Sequence, residues 1–267
     1  MQKVVMRALI NGVASSTISF DPFQSHTRAG WNLGDGIFES ILIQSGRPIL
    51  LTRHLTRLTK SAAALNISAI DERLIRSEIT TLLSSGEIFP SGRLRITILS
   101  SGDRTLTYRE LTPYEKFATL KSYPYPINEN SALAGKKSLS YGENAHALRW
   151  AQTHGVDDVV MYSTKGLVSE SAVANIMWES GGKMWTPALS AGCLPGIVRE
   201  ILIEKFDLAE MEGVRATLLA ADAIYLLSST RLIQQVSKFD DKDFNFSAAG
   251  QVLLGEFQAA IAENSDL

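Results

Sequence analysis

The chain has 267 residues, of which 45% are hydrophobic, 20% charged and 8% aromatic, and its formal net charge is -2. A chain of this size buries enough apolar surface to fold without staples, and its single cysteine, Cys193, excludes an internal disulfide and a cysteine-based zinc site. The balanced charge offers no basic stripe of the kind nucleic acid selects, so the expected partner is a small molecule or a second copy of the chain, in a reducing cytoplasm.

Met1 to Val13 has no apolar core followed by a small-residue cleavage site, and no run is apolar for long enough to cross a bilayer. Neither secretion nor membrane insertion is therefore expected. Met6 to Ile10 followed by Asn11-Gly12 predicts an opening β-hairpin. Next come a strand over Ile37 to Ile43, a turn at Ser45-Gly46, a strand over Arg47 to Leu51, and a helix from about Thr52 with Leu55, Leu58 and Ala62 on one face. Asp71 to Leu83 predicts a second helix, and Gly92 to Leu99 a buried strand. The polar, proline-bearing stretch from Leu111 to Asn130 reads as a connection, which places an N-terminal domain at 1–118 and a C-terminal domain at 119–267.

The second half predicts a helix from Tyr141 to His154, strands at Val159 to Tyr162 and Ala174 to Trp178 around a turn at Lys165-Gly166, and a hairpin at Gly181-Gly182 into Lys183 to Thr186. A helix starts after Pro195-Gly196. Strands over Ala223 to Leu227 and Leu232 to Val236 and a helix over Ala248 to Ala262 complete the chain. Hairpins are too frequent for a doubly wound parallel sheet, which leaves an α+β fold of two domains, with mixed sheets and flanking helices.

Single residues carry little chemistry by themselves. Gly34-Asp35-Gly36 lacks the dinucleotide-binding spacing and reads as a tight turn. Lys137 is no better a candidate than its neighbour Lys136, Glu170 reads as an exposed strand end, Arg57 as a surface helix partner and Tyr141 as an ordinary core residue. Five segments taken together say more: GDGIFESI, HLTRLTKSAAAL, KSLSY, VSESAVANI and LPGIVRE, in that order, resemble the fold-type IV pyridoxal-phosphate enzymes over nearly the whole chain. The lysine-to-tyrosine spacing in KSLSY resembles the 4-amino-4-deoxychorismate lyases and D-amino-acid transaminases.

That resemblance implies pyridoxal 5'-phosphate as cofactor, with Lys137 as its Schiff-base lysine and proton carrier, and Glu170 as the carboxylate that keeps the ring nitrogen protonated. It implies that Arg57 grips the phosphate with its planar fork, together with the amides of Ile197 and Val198 at a helix N-terminus and the hydroxyl of Ser229, with Ser228 and Thr230 as neighbouring alternatives. Tyr141 would lie beside the cofactor's phenolic oxygen. Val198 stands where the family usually has threonine, and Ser100-Ser101 where relatives carry Arg-Gly, which leaves Arg104 to reach a substrate carboxylate, across a subunit interface of a homodimer. Trp31 stands where D-amino-acid transaminases place a substrate-facing tyrosine. The expected reaction is conversion of 4-amino-4-deoxychorismate to 4-aminobenzoate and pyruvate, with transamination of D-amino or branched-chain acids as the alternative.

Overall fold

The computed structural model describes residues 6–15 and 33–266. They form two compact units, one made of Met1–Pro113, Lys137–Tyr141 and Ala260–Leu267, the other of Tyr114–Lys136 and Gly142–Ala259.

The first unit opens with the expected hairpin, β1 (Met6–Ile10) and β2 (Val13–Ser15), whose turn residues Asn11 and Gly12 both adopt positive φ, 47° and 82°, as a tight two-residue hairpin turn requires. With β3 (Gly36–Gln44), β4 (Arg47–Pro48), β5 (Ser91–Leu99) and β6 (Arg104–Glu110) it builds an antiparallel sheet in the order β2-β1-β6-β5-β3-β4. Period-2 alternation sends Ile37, Ile41 and Ile43 of β3, Leu94 and Ile96 of β5, and Leu106 and Tyr108 of β6 into one core. Helices α1 (Leu51–Ala64) and α2 (Glu72–Ser84) cover that face with Leu55, Leu58 and Ala62, and with Ile75, Ile79 and Leu82. Each such side chain contributes roughly 1.5–3 kcal/mol on burial.

The strand expected over Arg47 to Leu51 stops at Pro48, because Leu50 turns into the left-handed region at φ 60° and becomes the residue ahead of α1. Leucine offers no capping oxygen, and the end of the chain supplies one. Thr52 donates its backbone N–H to Asp266 Oδ1 at 2.7 Å and its hydroxyl to Oδ2, while the Leu50 N–H reaches the Ser265 carbonyl.

The second unit contains β7 (Phe117–Ser122), α3 (Gly142–Thr153), β8 (Asp158–Tyr162), β9 (Val168–Ser171), β10 (Asn175–Ser180), β11 (Lys183–Thr186), α4 (Ile197–Lys205), β12 (Ala209–Glu210), α5 (Arg215–Ala220), β13 (Ala223–Ser228), β14 (Leu232–Phe239) and β15 (Lys242–Asp243), and α6 (Ala248–Glu263) begins within it. Strand β9 pairs with both β8 and β10, so the path β10-β13-β14-β7-β8-β9 closes on itself. The β14–β7 and β7–β8 pairings are parallel and the other pairings of this ring antiparallel. Leu120, Val160, Ile176, Trp178, Leu226 and Phe239 pack inside. Leu111 to Asn130 is thus more than a connection: β7 lies between two parallel partners, yet its short span sends only Ala118 and Leu120 inward, too few to show a period.

The units divide between Pro113 and Tyr114, and the segment Lys137–Tyr141 groups with the first. It does so because it adds to the edge of β3: the Phe38 N–H donates to the Lys137 carbonyl at 2.9 Å and the Leu139 N–H to the Gly36 carbonyl at 2.8 Å. A Cβ on Gly36 would come within 2.4 Å of the Ile98 carbonyl oxygen and 3.0 Å of Leu99 Cα, so the close approach of β3 to β5 at this point requires glycine. Among the described residues no helix is long and apolar enough to cross a membrane.

If the Asp266 carboxylate caps α1, Asp266→Ala lowers unfolding stability by about 1 kcal/mol, read as a drop in urea midpoint with unchanged slope, whereas Asp266→Asn retains most of it.

Candidate active site

The edge pairing fixes the direction of the Lys137 side chain. Lys137 sits opposite Phe38, on the same face of the sheet, and its Nζ stands 4.5 Å from the centre of the Phe38 ring. Tyr141 meets that ring edge-on, with centroids 5.4 Å apart. Lys136 belongs to the turn before, where its N–H closes onto the Leu133 carbonyl.

A third group converges on the same ring. Cross-strand register pairs Phe38 with Thr97 and Ser40 with Arg95, so Arg95 shares the Phe38 face and lays its guanidinium carbon 3.8 Å from the ring centre. Its Nε reaches Thr97 Oγ1 at 3.3 Å, and among the described residues no carboxylate pairs with it. Burial first, and Arg93 second, push its pKa down to about 10, still cationic at neutral pH. Sequence reading passed over Arg95; its signal was the alternation Arg93, Arg95, Thr97 along a strand whose other face is Leu94, Ile96 and Ile98.

The opposite face of β3 carries a charge in the core. Glu39 falls in the inward row between Ile37 and Ile41 and is fully buried. Arg57 grips it twice from α1, Nε to Oε1 at 2.8 Å and Nη2 to Oε2 at 2.7 Å, and His54 Nδ1 lies 2.7 Å from Oε2. Burial alone would raise the Glu39 carboxyl, but the Arg57 guanidinium and then His54 outweigh it and hold it far below the ordinary carboxylate range. Burial pushes His54 down despite Glu39, so the ring is neutral, donates from Nδ1 to the carboxylate, and leaves Nε2 buried without a hydrogen bond among the described residues. The phosphate arginine of the resemblance is therefore held in a fixed pose by a buried carboxylate. Glu39 also went unremarked in the sequence, although a glutamate in an isoleucine row is itself the signal.

In the second unit, Glu170 on β9 accepts the Leu194 N–H on Oε2 at 2.9 Å, and Asn175 Nδ2 donates to the Leu194 carbonyl at 2.8 Å. This ties the carboxylate to the approach of α4. A Cβ on Gly196 would sit 1.8 Å from Asn175 Oδ1, so glycine is obligatory there too. Gly196 is the residue ahead of α4 and no side chain caps the helix; the first intrahelical bond runs from the Glu200 N–H to the Gly196 carbonyl. The amides of Ile197 and Val198 precede that bond and point out of the positive end of the helix. In the turn after β13, Ser228 Oγ accepts the Arg231 N–H and Thr230 shares a hydrogen bond with the Tyr114 hydroxyl. Of these three hydroxyls, only that of Ser229 is uncommitted among the described residues.

Two expected substrate residues fare differently. Arg104 turns its guanidinium onto Glu78 of α2, with Nε at 2.7 and 2.9 Å from the two oxygens, and that hydrogen bonding raises its pKa. It is engaged within its own unit, where strand β6 faces α2. Trp31 lies outside the described residues.

Each unit by itself offers groups of the kind pyridoxal phosphate needs: the first a lysine over an aromatic ring and an arginine held in a fixed pose, the second a carboxylate bound to the Leu194 amide and the amides at the start of α4. Among the described residues no cluster of His, Cys, Asp or Glu could hold a metal ion.

Because the Glu39 carboxyl titrates lower in the folded chain than in the unfolded one, its contribution is complete above the ordinary carboxylate value of about 4.3, declines as pH falls below it, and vanishes only well into acid. Glu39→Gln at neutral pH removes about 3 kcal/mol by stranding the Arg57 charge, and its denaturant midpoint approaches that of the wild type on acidification.

Residues 36–239 match the family model of amino-transferase class IV. Aminodeoxychorismate lyase of Bacillus subtilis is 24% identical over 237 residues, covering 80% of this chain and 81% of that protein. The bifunctional aminodeoxychorismate lyase / D-amino acid transaminase of Mycobacterium tuberculosis is 26% identical over 265 residues, covering 86% and 91%. The crystal structure of an aminotransferase from Brucella abortus bound to pyridoxal phosphate superposes with a TM-score of 0.83 at 20% identity, covering 97% of this chain and all of that one. With the family pattern extending over most of its length, this chain belongs to amino-transferase class IV, the pyridoxal-phosphate-dependent enzymes of fold type IV.

Proposed function

We propose that the chain is an aminodeoxychorismate lyase, releasing pyruvate from 4-amino-4-deoxychorismate to leave 4-aminobenzoate, as a cytoplasmic homodimer. The observation that carries the reading is the convergence of Lys137 and Arg95 on the Phe38 ring, a proton carrier beside an unpaired cation that suits an amino substrate bearing carboxylates. The KSLSY spacing and the similarity to the Bacillus subtilis and Mycobacterium tuberculosis lyases support it.

The cofactor supplies an electron sink that lets the proton on the amine-bearing carbon leave. Lys137 takes that proton and returns one as the enolpyruvyl group departs, and formation of the aromatic ring drives the step. Glu170 would keep a proton on the ring nitrogen when the cofactor is bound. By the family resemblance, Arg57, the Ile197 and Val198 amides and Ser229 would hold the phosphate, and Tyr141 would lie beside the phenolic oxygen. Arg95 takes a substrate carboxylate, the role that Arg104, paired with Glu78, is not free to fill.

A second reading, transamination of D-amino or branched-chain acids, would use the same residues and is favoured by the double name of the Mycobacterium relative. It differs in needing a keto acid to accept the nitrogen.

Protein loaded with pyridoxal phosphate and given aminodeoxychorismate without any keto acid should form 4-aminobenzoate, and Lys137→Ala should form none. Arg95→Ala should raise KM about tenfold or more, a loss of about 1.4 kcal/mol, with the cofactor spectrum intact. No product from the wild type, together with conversion of the cofactor to its amine form by D- or branched-chain amino acids, would establish the transaminase instead. Light scattering at working concentration checks the dimer.

A further inference from the structure

The second unit holds another buried carboxylate, which the reading above leaves unused. Asp158, the first residue of β8, is fully buried. Its Oδ1 accepts the Val159 and Ala172 N–H groups at 2.9 and 3.0 Å, and its Oδ2 accepts the Ser171 hydroxyl at 2.9 Å. Ser171 and Ala172 are the two residues that follow Glu170. The same Oδ2 lies 3.7 Å from Nη1 of Arg231, whose side chain is 9% exposed and whose Nη1 makes no hydrogen bond among the described residues.

Arg231 in turn governs the turn that carries Ser229. Its N–H donates to Ser228 Oγ at 3.2 Å, and its guanidinium stacks 4.7 Å from the Tyr114 ring, whose hydroxyl lies 3.0 Å from Thr230 Oγ1. Leu232 follows at φ 59°, a conformation that a bulky side chain tolerates only when its surroundings enforce it. Desolvation offsets much of the attraction in a buried ion pair, so such a pair adds little stability. What it does well is hold two segments at one separation.

We propose that Asp158 is a positioning residue for the cofactor: through Ser171 and Ala172 it sets the strand end bearing Glu170, and through Arg231 it sets the turn bearing Ser229, so that the ring-nitrogen and phosphate contacts keep one spacing. This rests on the cofactor roles of Glu170 and Ser229 proposed above. Small displacements of supporting groups are enough to weaken a bound ligand.

The test compares wild type, Asp158→Asn, Arg231→Gln and Arg231→Lys for pyridoxal phosphate affinity, the pH midpoint of the bound cofactor's long-wavelength band, and the melting temperature of cofactor-free protein. Asp158→Asn and Arg231→Gln are expected to weaken cofactor binding by about tenfold and to shift the band midpoint, with Arg231→Lys near wild type and the double variant no worse than either single one. Should Asp158→Asn fail to fold, the Arg231 variants, which leave the three hydrogen bonds of Asp158 in place, decide the matter. Variants that melt lower yet bind the cofactor with unchanged affinity and spectrum would overturn the proposal. A wild type whose cofactor affinity ignores both Glu170→Gln and Ser229→Ala would overturn the underlying reading, and the proposal with it.

Discussion

Two backbone hydrogen bonds at the beginning of β3 decide which way the Lys137 side chain points. They join Phe38 to Lys137 and Leu139 to Gly36, and they bring a segment from beyond β7 onto the edge of a sheet formed by the first half of the chain. Because side chains alternate along paired strands, this register places Lys137 on the face of Phe38, Arg95 and Tyr141. A slip by one residue would send the lysine toward the core row of Ile37, Glu39 and Ile41. The backbone register therefore sets the direction of the Lys137 side chain.

Glu39 and Asp158, the two carboxylates with no exposed surface among the described residues, have distinct organising tasks. Glu39 lies under the sheet and ties β3 to α1 through Arg57 and His54. Asp158 lies at the start of β8 and ties the end of β9 to the turn after β13. Neither is a good way to gain stability, because desolvation consumes much of the attraction. Both fix the pose of the side chains and strand ends they touch, and hydrophobic packing alone, being non-directional, sets no such pose.

Much of the fold was legible because local rules acted unopposed. Asn11-Gly12 and Gly181-Gly182 made hairpins where turn chemistry demands them, and the periodic faces of α1 and α2 emerged within one or two residues of expectation. Failures occurred where a partner distant in sequence overrode the local pattern. Leu50 left the strand path for a left-handed conformation, and α1 found its cap in Asp266. Strand β7, lying between two parallel partners, has too few inward apolar residues to announce itself. Arg104 was chosen for its nearness to a family motif, but the chain folds it against Glu78, while Arg95, on the neighbouring strand, stands over Phe38 with no carboxylate paired to it among the described residues.

The sequence by itself determined the two-part α+β plan, the family, the cofactor and the short motifs from which a site is made, because order and spacing of residue types survive without coordinates. Only the tertiary structure decided which lysine stands over an aromatic ring, which arginines are already paired, and which of three adjacent hydroxyls is uncommitted. Those are properties of side-chain direction and of partners far apart in the chain, and they exist only once pairing register and burial have been settled.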